Sequence, residues 1–122
     1  MQEALDRFMD LPGALGACIV DVNSGMMLAS ASASSGGNGL NLELAAAGST
    51  DVLRAQRRAL DALSSPDRVE DILISVPQQF HLLRPIERSD ALYLYAIIDR
   101  ERGNLAMARH NLGKLESEVE VL

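Results

Sequence analysis

The residue types best suited to metal or nucleophilic chemistry are scarce in this sequence of 122 residues: one cysteine, Cys18, and two histidines, His81 and His110. A zinc site needs several such ligands at short spacings, and a nucleophilic cysteine needs a base beside it. The sequence shows neither arrangement, so we expect no metal ion and no catalytic centre. The apolar neighbours Phe80 and Leu82 predict that His81 lies in a strand and has a structural role. His110 is expected at the solvent-exposed surface.

A glycine-rich segment, Ser34 to Gly39, precedes a long helical pattern. Loops of this kind can hold phosphate groups against a helix N-terminus. Nucleotide-binding loops, however, end in Gly-Lys-Ser or Gly-Lys-Thr, and this segment has no lysine. Residues 30–39 contain only Ser, Ala, Gly and Asn, which have little apolar surface to bury. We therefore predict a flexible loop over residues 30–39 and no bound cofactor.

Composition limits the class of protein and its partners. Hydrophobic residues make up 48% and charged residues 23% of the chain, which is typical of a compact fold, and the length suits a single domain over residues 1–122. The formal net charge of −6 opposes binding to nucleic acid. No apolar run approaches the roughly twenty residues that cross a bilayer, so we expect no membrane insertion. A single cysteine between apolar neighbours suits a reducing compartment, which predicts a cytoplasmic location.

The elements that position these residues follow from the spacing of apolar side chains. The predicted helices cover 2–10, 40–63 and the region from about 103 onwards, and the predicted strands cover 15–22, 26–29, 69–76, 80–83 and 91–98. Strands 15–22 and 91–98 are apolar on both faces, so we expect them to be central strands of an antiparallel meander with helices on both sides. Alternating glutamates near the C-terminus oppose the helix dipole and predict a frayed tail over residues 116–122.

The predicted helix over 40–63 carries a charged arc and two further stripes. At about 100° per residue, the charged arc includes Arg54, Arg57 and Arg58. One stripe holds the larger side chains: Leu42, Ala46, Ser49, Leu53, Leu60 and Leu63. The other, the small-residue stripe, consists of Leu44, Gly48, Val52, Ala55, Ala59 and Ala62. Because a helix on its own sheet needs one apolar stripe, the second predicts another close contact, for example with a helix. The alternative is that both stripes lie in one wide groove within the chain.

Five segments, in order along the chain, resemble those of a known family. They are Leu11 to Ala17, Val20 to Gly25, the alanine-rich helical pattern, His81 to Ile86, and Leu92 to Arg100 followed by Asn104 to Arg109. Together they resemble the roadblock (dynein light chain) superfamily of profilin-like, longin-related α/β domains, in its bacterial single-domain form. The resemblance implies an α+β fold of order α-β-β-α-β-β-β-α. It also implies a five-stranded antiparallel sheet with the long second helix on one face and the terminal helices on the other.

The resemblance further implies a homodimer, because in roadblock proteins the second helices of two chains pack together and the third strands pair. The small-residue stripe and the predicted strand 69–76 would then meet their counterparts in a second copy. The residues expected at this interface are Leu44, Gly48, Val52, Ala55, Ala59 and Ala62 on the helix, and Ile72, Leu73, Ile74 and Ser75 on the strand.

In function, the resemblance implies a non-enzymatic adaptor or regulator that binds a small Ras-like GTPase, with an activating or scaffolding role in motility, polarity or signalling. Arg54, Arg57 and Arg58 are the clustered cations expected to contact such a partner. Two alternatives stay open: a scaffold that assembles through sheet edges and helices without a GTPase, and a small-molecule sensor or enzyme. The sensor or enzyme would need convergent polar groups, and the sequence shows none.

Overall fold

The computed structural model of the protein describes residues 1–33 and 41–119. Its elements are α1 (Gln2–Phe8), β1 (Ala14–Asp21), β2 (Met27–Ser32), α2 (Leu42–Ala62), β3 (Ile72–Val76), β4 (Gln79–Pro85), β5 (Leu92–Asp99) and α3 (Leu105–Glu118). This order confirms the predicted α-β-β-α-β-β-β-α arrangement. The glycine-rich segment 34–39 lies outside the described residues, as do residues 120–122 of the predicted tail.

The five strands form one antiparallel sheet in the order β2-β1-β5-β4-β3. β1 and β5 lie side by side within it, as their two apolar faces predict. A meander in chain order would place β2 beside β3, and that part of the prediction is wrong because these strands form opposite edges. In the observed order β1 and β5 are adjacent strands. Both are apolar on two faces, and the same helices on each side of the sheet bury them.

Alternating side chains of the strands build a separate apolar core on each face of the sheet. The core beneath α1 and α3 includes Leu5, Phe8, Ile19, Leu82, Leu94 and Leu112. The core beneath α2 includes Val20, Leu53, Leu83, Tyr93, Tyr95 and Ile97. Among the described residues, no helix is long and apolar enough to cross a bilayer.

Polar contacts fix α2 at its start and near its centre. The Asn41 side chain accepts from the Leu44 N–H at 3.0 Å and caps the helix. In the buried centre, Thr50 Oγ1 lies 2.8 Å from the Tyr93 hydroxyl, which also donates to the Ala46 carbonyl at 2.9 Å. Burial raises the pKa of Tyr93 to about 12, so the phenol stays protonated. The sequence pattern gives no sign of this contact, which depends on Tyr93 facing α2.

Two segments predicted as loop and tail are more regular than expected. β2 extends to Ser32, so residues 30–32 of the predicted loop belong to a strand that pairs with β1. α3 continues to Glu118, and Val119 is buried, so the structure differs from the predicted frayed tail over residues 116–119.

The carboxylate of Glu116 explains the order at the end of α3. One oxygen accepts from Arg84 Nε at 2.7 Å and the other from the Glu87 N–H at 2.8 Å. Burial alone would raise the pKa of Glu116, but the hydrogen bonds from Glu87 and Arg84 outweigh burial and hold the pKa below its ordinary value. These bonds tie the last turns of α3 to β4 and the loop that follows it.

Glu116→Gln keeps the shape of this side chain and removes its charge, so we expect it to lower the free energy of unfolding by about 1 to 2 kcal/mol at neutral pH. Because folding lowers the pKa of Glu116, its contribution is complete above the ordinary value of 4.5 and is lost as the pH falls below that value. Urea unfolding of wild type and variant at neutral pH and at about pH 3 measures this loss, and the difference should shrink at the acid end.

Glu118→Gln is the matched control, because Glu118 pairs with Arg7 at the surface and its side chain is 42% exposed. Exposed ion pairs contribute little, so this variant should stay within about 0.5 kcal/mol of wild type. Equal effects of the two substitutions would contradict the role assigned to Glu116.

Candidate interaction surface

The small-residue stripe of α2 lies on the surface of the chain. Leu44 is 71% exposed and Val52 is 41% exposed, and the smaller members of the stripe are at least partly exposed as well. The buried side of the helix consists instead of Leu42, Ala46, Ser49, Thr50 and Leu53. The alternative in which both stripes fill one groove within the chain is therefore wrong.

Leu63 differs from its predicted position. The sequence pattern assigns it to the stripe that covers the sheet, but the structure leaves it 76% exposed. The last buried residue of α2 is Leu53, so the C-terminal turns of the helix extend beyond the part of the sheet that the helix covers. Leu63 therefore adds a large apolar side chain to the exposed end of α2.

We call the exposed apolar side of α2 the outer stripe. The spacing between its residues is the same whether the helix is read from its N-terminus or from its C-terminus. Six of its positions, Leu44, Gly48, Val52, Ala55, Ala59 and Leu63, are separated by four, four, three, four and four residues; Ala62 of the small-residue stripe is exposed as well and lies outside this set. At 100° per residue these positions stay within about 100° of the helix circumference. Reversing the helix exchanges them in pairs: Leu44 with Leu63, Gly48 with Ala59, and Val52 with Ala55. The outer stripe therefore has large side chains at both ends and smaller ones between, in whichever direction it is read.

Gly48 marks the point where another backbone can come closest to α2. Apart from its chain neighbours and the backbone of its own helix, no heavy atom of the described chain lies within 4 Å of the position that a Cβ would occupy there. A glycine inside a helix costs about 1 kcal/mol relative to alanine, and no contact within the described chain uses its missing side chain. A second helix packed against this bare segment would offset that cost.

The two edges of the sheet differ in how they are protected. At the β2 edge, Gln2 Nε2 donates to the Ser30 carbonyl at 2.9 Å, and the pairing of β1 with β2 shifts register after Ile19. Bulges and covering elements are common devices that keep an edge from pairing with another strand. At the β3 edge, β4 is the one strand neighbour within the described sheet, and Ser75 is exposed. β3 therefore offers its outer backbone groups to another strand.

The side chains of β3 divide between the two faces of the sheet. Ile72 and Ile74 pack partly on the α2 core, whereas Leu73 packs on the opposite core. The four strand residues predicted at an interface, Ile72, Leu73, Ile74 and Ser75, thus lie along one open edge. Two of them share the α2 side of the sheet.

The three arginines predicted to contact a partner do not form one free cluster. Arg54 donates to the Asn23 carbonyl at 2.7 Å, in the turn between β1 and β2. Arg57 donates to the Asp90 carbonyl at 2.9 Å, in the loop before β5. Arg58 is exposed. The first two side chains therefore hold loops of their own chain, and Arg58 faces solvent.

Three hydrogen-bonded polar side chains, which the sequence pattern does not predict, lie on the α2 side of β4 and β5. His81 Nδ1 is 2.6 Å from the Tyr95 hydroxyl, and His81 Nε2 is 2.9 Å from Gln79 Oε1. Burial lowers the pKa of His81, which favours the neutral ring. Strand alternation predicts the face on which His81 lies but not a partner on another strand. His110 is exposed on α3, in agreement with its predicted position.

The described residues offer little for catalysis or metal binding. Within residues 1–33 and 41–119, no three His, Cys, Asp or Glu side chains are grouped so that they could hold a metal ion. Burial raises the pKa of Cys18 to about 12, so its thiol is protonated and a poor nucleophile. A cleft beside β4 is lined by charged side chains, but its two arginines are already paired, Arg84 with Glu116 and Arg68 with Asp90.

No protein-family model and no curated protein matches the sequence. Solved structures match its fold over nearly the whole chain. MglB from Myxococcus xanthus has a TM-score of 0.80 at 15% sequence identity, over 96% of this chain and 89% of that chain. The gliding protein MglB from Thermus thermophilus has a TM-score of 0.79 at 19% identity, over 95% of this chain and 82% of that chain. A Roadblock/LC7 domain from Streptomyces avermitilis has a TM-score of 0.79 at 12% identity, over 98% of this chain and 93% of that chain. The chain therefore has the roadblock fold, as its sequence segments predict.

Proposed function

We propose that the protein is a non-enzymatic homodimeric adaptor whose two copies join through the outer stripe of α2 and the open edge of β3. The observation that carries this proposal is the equal spacing of the outer stripe in both directions. A two-fold axis makes each copy present the same surface to the other, so that surface has to complement itself. Two antiparallel α2 helices would place Leu44 of one copy beside Leu63 of the other. The same axis would place Gly48 opposite Ala59.

Pairing of the two β3 strands would extend the contact into the sheet. The two sheets would then form one continuous sheet across the two-fold axis, with Ile72 and Ile74 on the side of the paired helices. The guarded β2 edge and the open β3 edge support β3 as the strand that pairs.

Ala55→Glu tests the homodimer directly, because it places a charge near the centre of the outer stripe. We expect wild type to be a dimer and Ala55→Glu to be a folded monomer, with dimer affinity at least about 100-fold weaker, since an unpaired charge in an apolar contact costs several kcal/mol. Light scattering at several concentrations measures the molar mass, and circular dichroism confirms folding.

Ala106→Glu is the matched control for this substitution, because Ala106 is an exposed alanine on α3, on the other side of the sheet. It should leave the dimer intact. A wild-type protein that stays monomeric at high concentration would refute the homodimer.

Gly48→Ala and Gly113→Ala form a second matched pair, since both glycines lie inside helices with room for a Cβ. At Gly113 the nearest contact would be Arg84 Nη2 at 3.6 Å, an ordinary distance. We expect Gly113→Ala to raise the free energy of unfolding by roughly 0.5 to 1 kcal/mol and to leave dimer affinity unchanged. Gly48→Ala should stabilise a monomeric Ala55→Glu background by a similar amount but weaken dimerisation of the otherwise wild-type chain. If Gly48→Ala and Gly113→Ala dimerise with the same affinity, Gly48 lies outside the interface.

The partner that we propose for the dimer is a small Ras-like GTPase, in a motility or signalling role. The roadblock fold and the similarity to a gliding protein support this proposal by analogy of fold. A dimer that binds the GTP-bound and GDP-bound forms with unequal affinity would shift the balance between them without supplying a catalytic group. Arg58 is the predicted contact residue that faces solvent.

An assembly scaffold without a GTPase is the second candidate. One of the similar structures is described as MglB with a tetrameric arrangement, which supports association beyond two copies. The two functions differ in whether binding depends on a nucleotide.

Nucleotide dependence is therefore the property to measure. Ras-like GTPases of the source organism, loaded with GDP or with a non-hydrolysable GTP analogue, are titrated with the dimer by calorimetry. We expect one of them to bind with affinities that differ between the two nucleotides by about tenfold. Arg58→Ala should weaken this binding more than Arg102→Ala, whose side chain is 62% exposed in the turn before α3. Nucleotide-independent binding, or none, would favour the scaffold.

A further inference from the structure

His81 lies on the surface that the proposed homodimer would cover. It belongs to β4, next to the open β3 edge, and stands opposite Ile74 in the pairing of these strands. Opposite residues of paired strands point to the same face, so His81 and Ile74 share the α2 side of the sheet. Both are partly exposed in the single chain. In the proposed homodimer, the second α2 helix on this side of the joined sheet would cover them further.

The hydrogen bonds of His81 suit a neutral ring. Gln79 Oε1 is an acceptor 2.9 Å from Nε2, so the ring proton is assigned to Nε2. Nδ1 then accepts from the Tyr95 hydroxyl at 2.6 Å. A second proton on Nδ1 would point at the hydroxyl hydrogen, and Tyr95 would have to turn that hydrogen away. Protonation of His81 therefore reverses the direction of this hydrogen bond, and the Tyr95 hydroxyl hydrogen needs another acceptor.

The groups around His81 are mostly neutral. On β5, burial raises the pKa of Tyr95, which favours its neutral phenol. On β1, burial raises the pKa of Cys18 to about 12, so its thiol is neutral. On β3, the facing residue is Ile74, which does not titrate.

The carboxylate of Asp99, near His81 in the sheet, accepts hydrogen bonds from other residues. Asp99 lies on β5 opposite Gln79, two residues from His81 along β4. Its oxygens accept from Arg102 Nε at 3.2 Å and from the Glu101 N–H at 2.9 Å. Among the described residues, Asp99 pairs with Arg102 and forms no salt bridge with His81.

We propose that His81 makes the pairing of two copies sensitive to protons: the dimer requires the neutral ring, and protonation of His81 at acid pH favours the separated chains. This inference rests on the proposed homodimer. In the proposed homodimer the second α2 helix lies on the α2 side of the joined sheet, near β3 and β4, and a positive charge there would lose contact with water. A protonated His81 would therefore oppose association.

The direction of the effect follows from the histidine pKa. Burial lowers the pKa of His81 below its ordinary value of 6.5 already in the single chain, and further covering in a dimer would lower it more. The dimer then binds fewer protons than two separate chains at acid pH. Dimer affinity is constant above the single-chain pKa and falls as the pH drops below it.

The dimer dissociation constant of the full chain, measured by analytical ultracentrifugation between about pH 7.5 and 5.5, tests this inference. We expect the wild-type constant to rise roughly tenfold or more at the acid end, since one unit of pKa difference corresponds to a tenfold change in an equilibrium constant. His81→Gln should remove most of this dependence. His110→Gln is the matched control, because the other histidine is exposed on α3, and it should behave as wild type.

NMR titration of the His81 ring in wild type and in monomeric Ala55→Glu provides a second readout that does not require a folded His81 variant. The pKa of His81 should be higher in the monomer. A dimer with the same affinity at both pH values, or equal pKa values in monomer and dimer, overturns the role of His81 and leaves the homodimer intact. A wild-type chain that is monomeric at every pH overturns both.

Discussion

The architecture depends on burying both faces of two adjacent strands, β1 and β5. Neither strand has a polar face to turn toward water, so helices have to cover the sheet on both sides. α1 and α3 share one face, whereas α2 is the single helix over the other face of the described sheet. When one helix is the outermost layer on a face of the sheet, the side of that helix that points away from the sheet is exposed to solvent. The exposed outer stripe is thus a direct result of the same constraint that places β1 and β5 within the sheet.

Polar contacts decide which side of α2 faces outward. The hydroxyls of Thr50 and Tyr93 meet at the buried centre of the helix, and Arg54 and Arg57 reach from its flank to loops at the end of the sheet. Rotation of α2 about its axis would break all of these bonds together. The apolar outer stripe therefore has a fixed orientation, which a self-complementary contact between two copies requires.

Hydropathy patterns predict most of this fold, because both-faced apolar strands and helical stripes are local properties of the sequence. They predict the element order and the central position of β1 and β5, and the family resemblance adds the edge position of β3. They do not predict contacts between distant side chains. Arg54 and Arg57 fall in a charged arc, and only the position of the loops shows that they bind carbonyl groups. The bond of His81 to Tyr95 depends on strand register, and the order at Glu116 depends on the loop after β4. The sequence pattern assigns Leu63 to the buried stripe, but it lies at the border of the two stripes and beyond the covered part of the sheet, where it is exposed.

The unequal protection of the two sheet edges limits how far strand pairing can proceed. A sheet with two open edges can add a neighbour on each side, and the product still has two open edges, so growth continues into a fibre. This sheet has one open edge at β3 and a guarded edge at β2. If two copies pair along β3 as proposed, each uses its open edge, and the joined sheet ends at a guarded β2 edge on either side. Growth of the sheet at β2 would first have to displace the Gln2 side chain from the Ser30 carbonyl and accommodate the register shift after Ile19, so helix and loop surfaces are the easier route to a larger assembly.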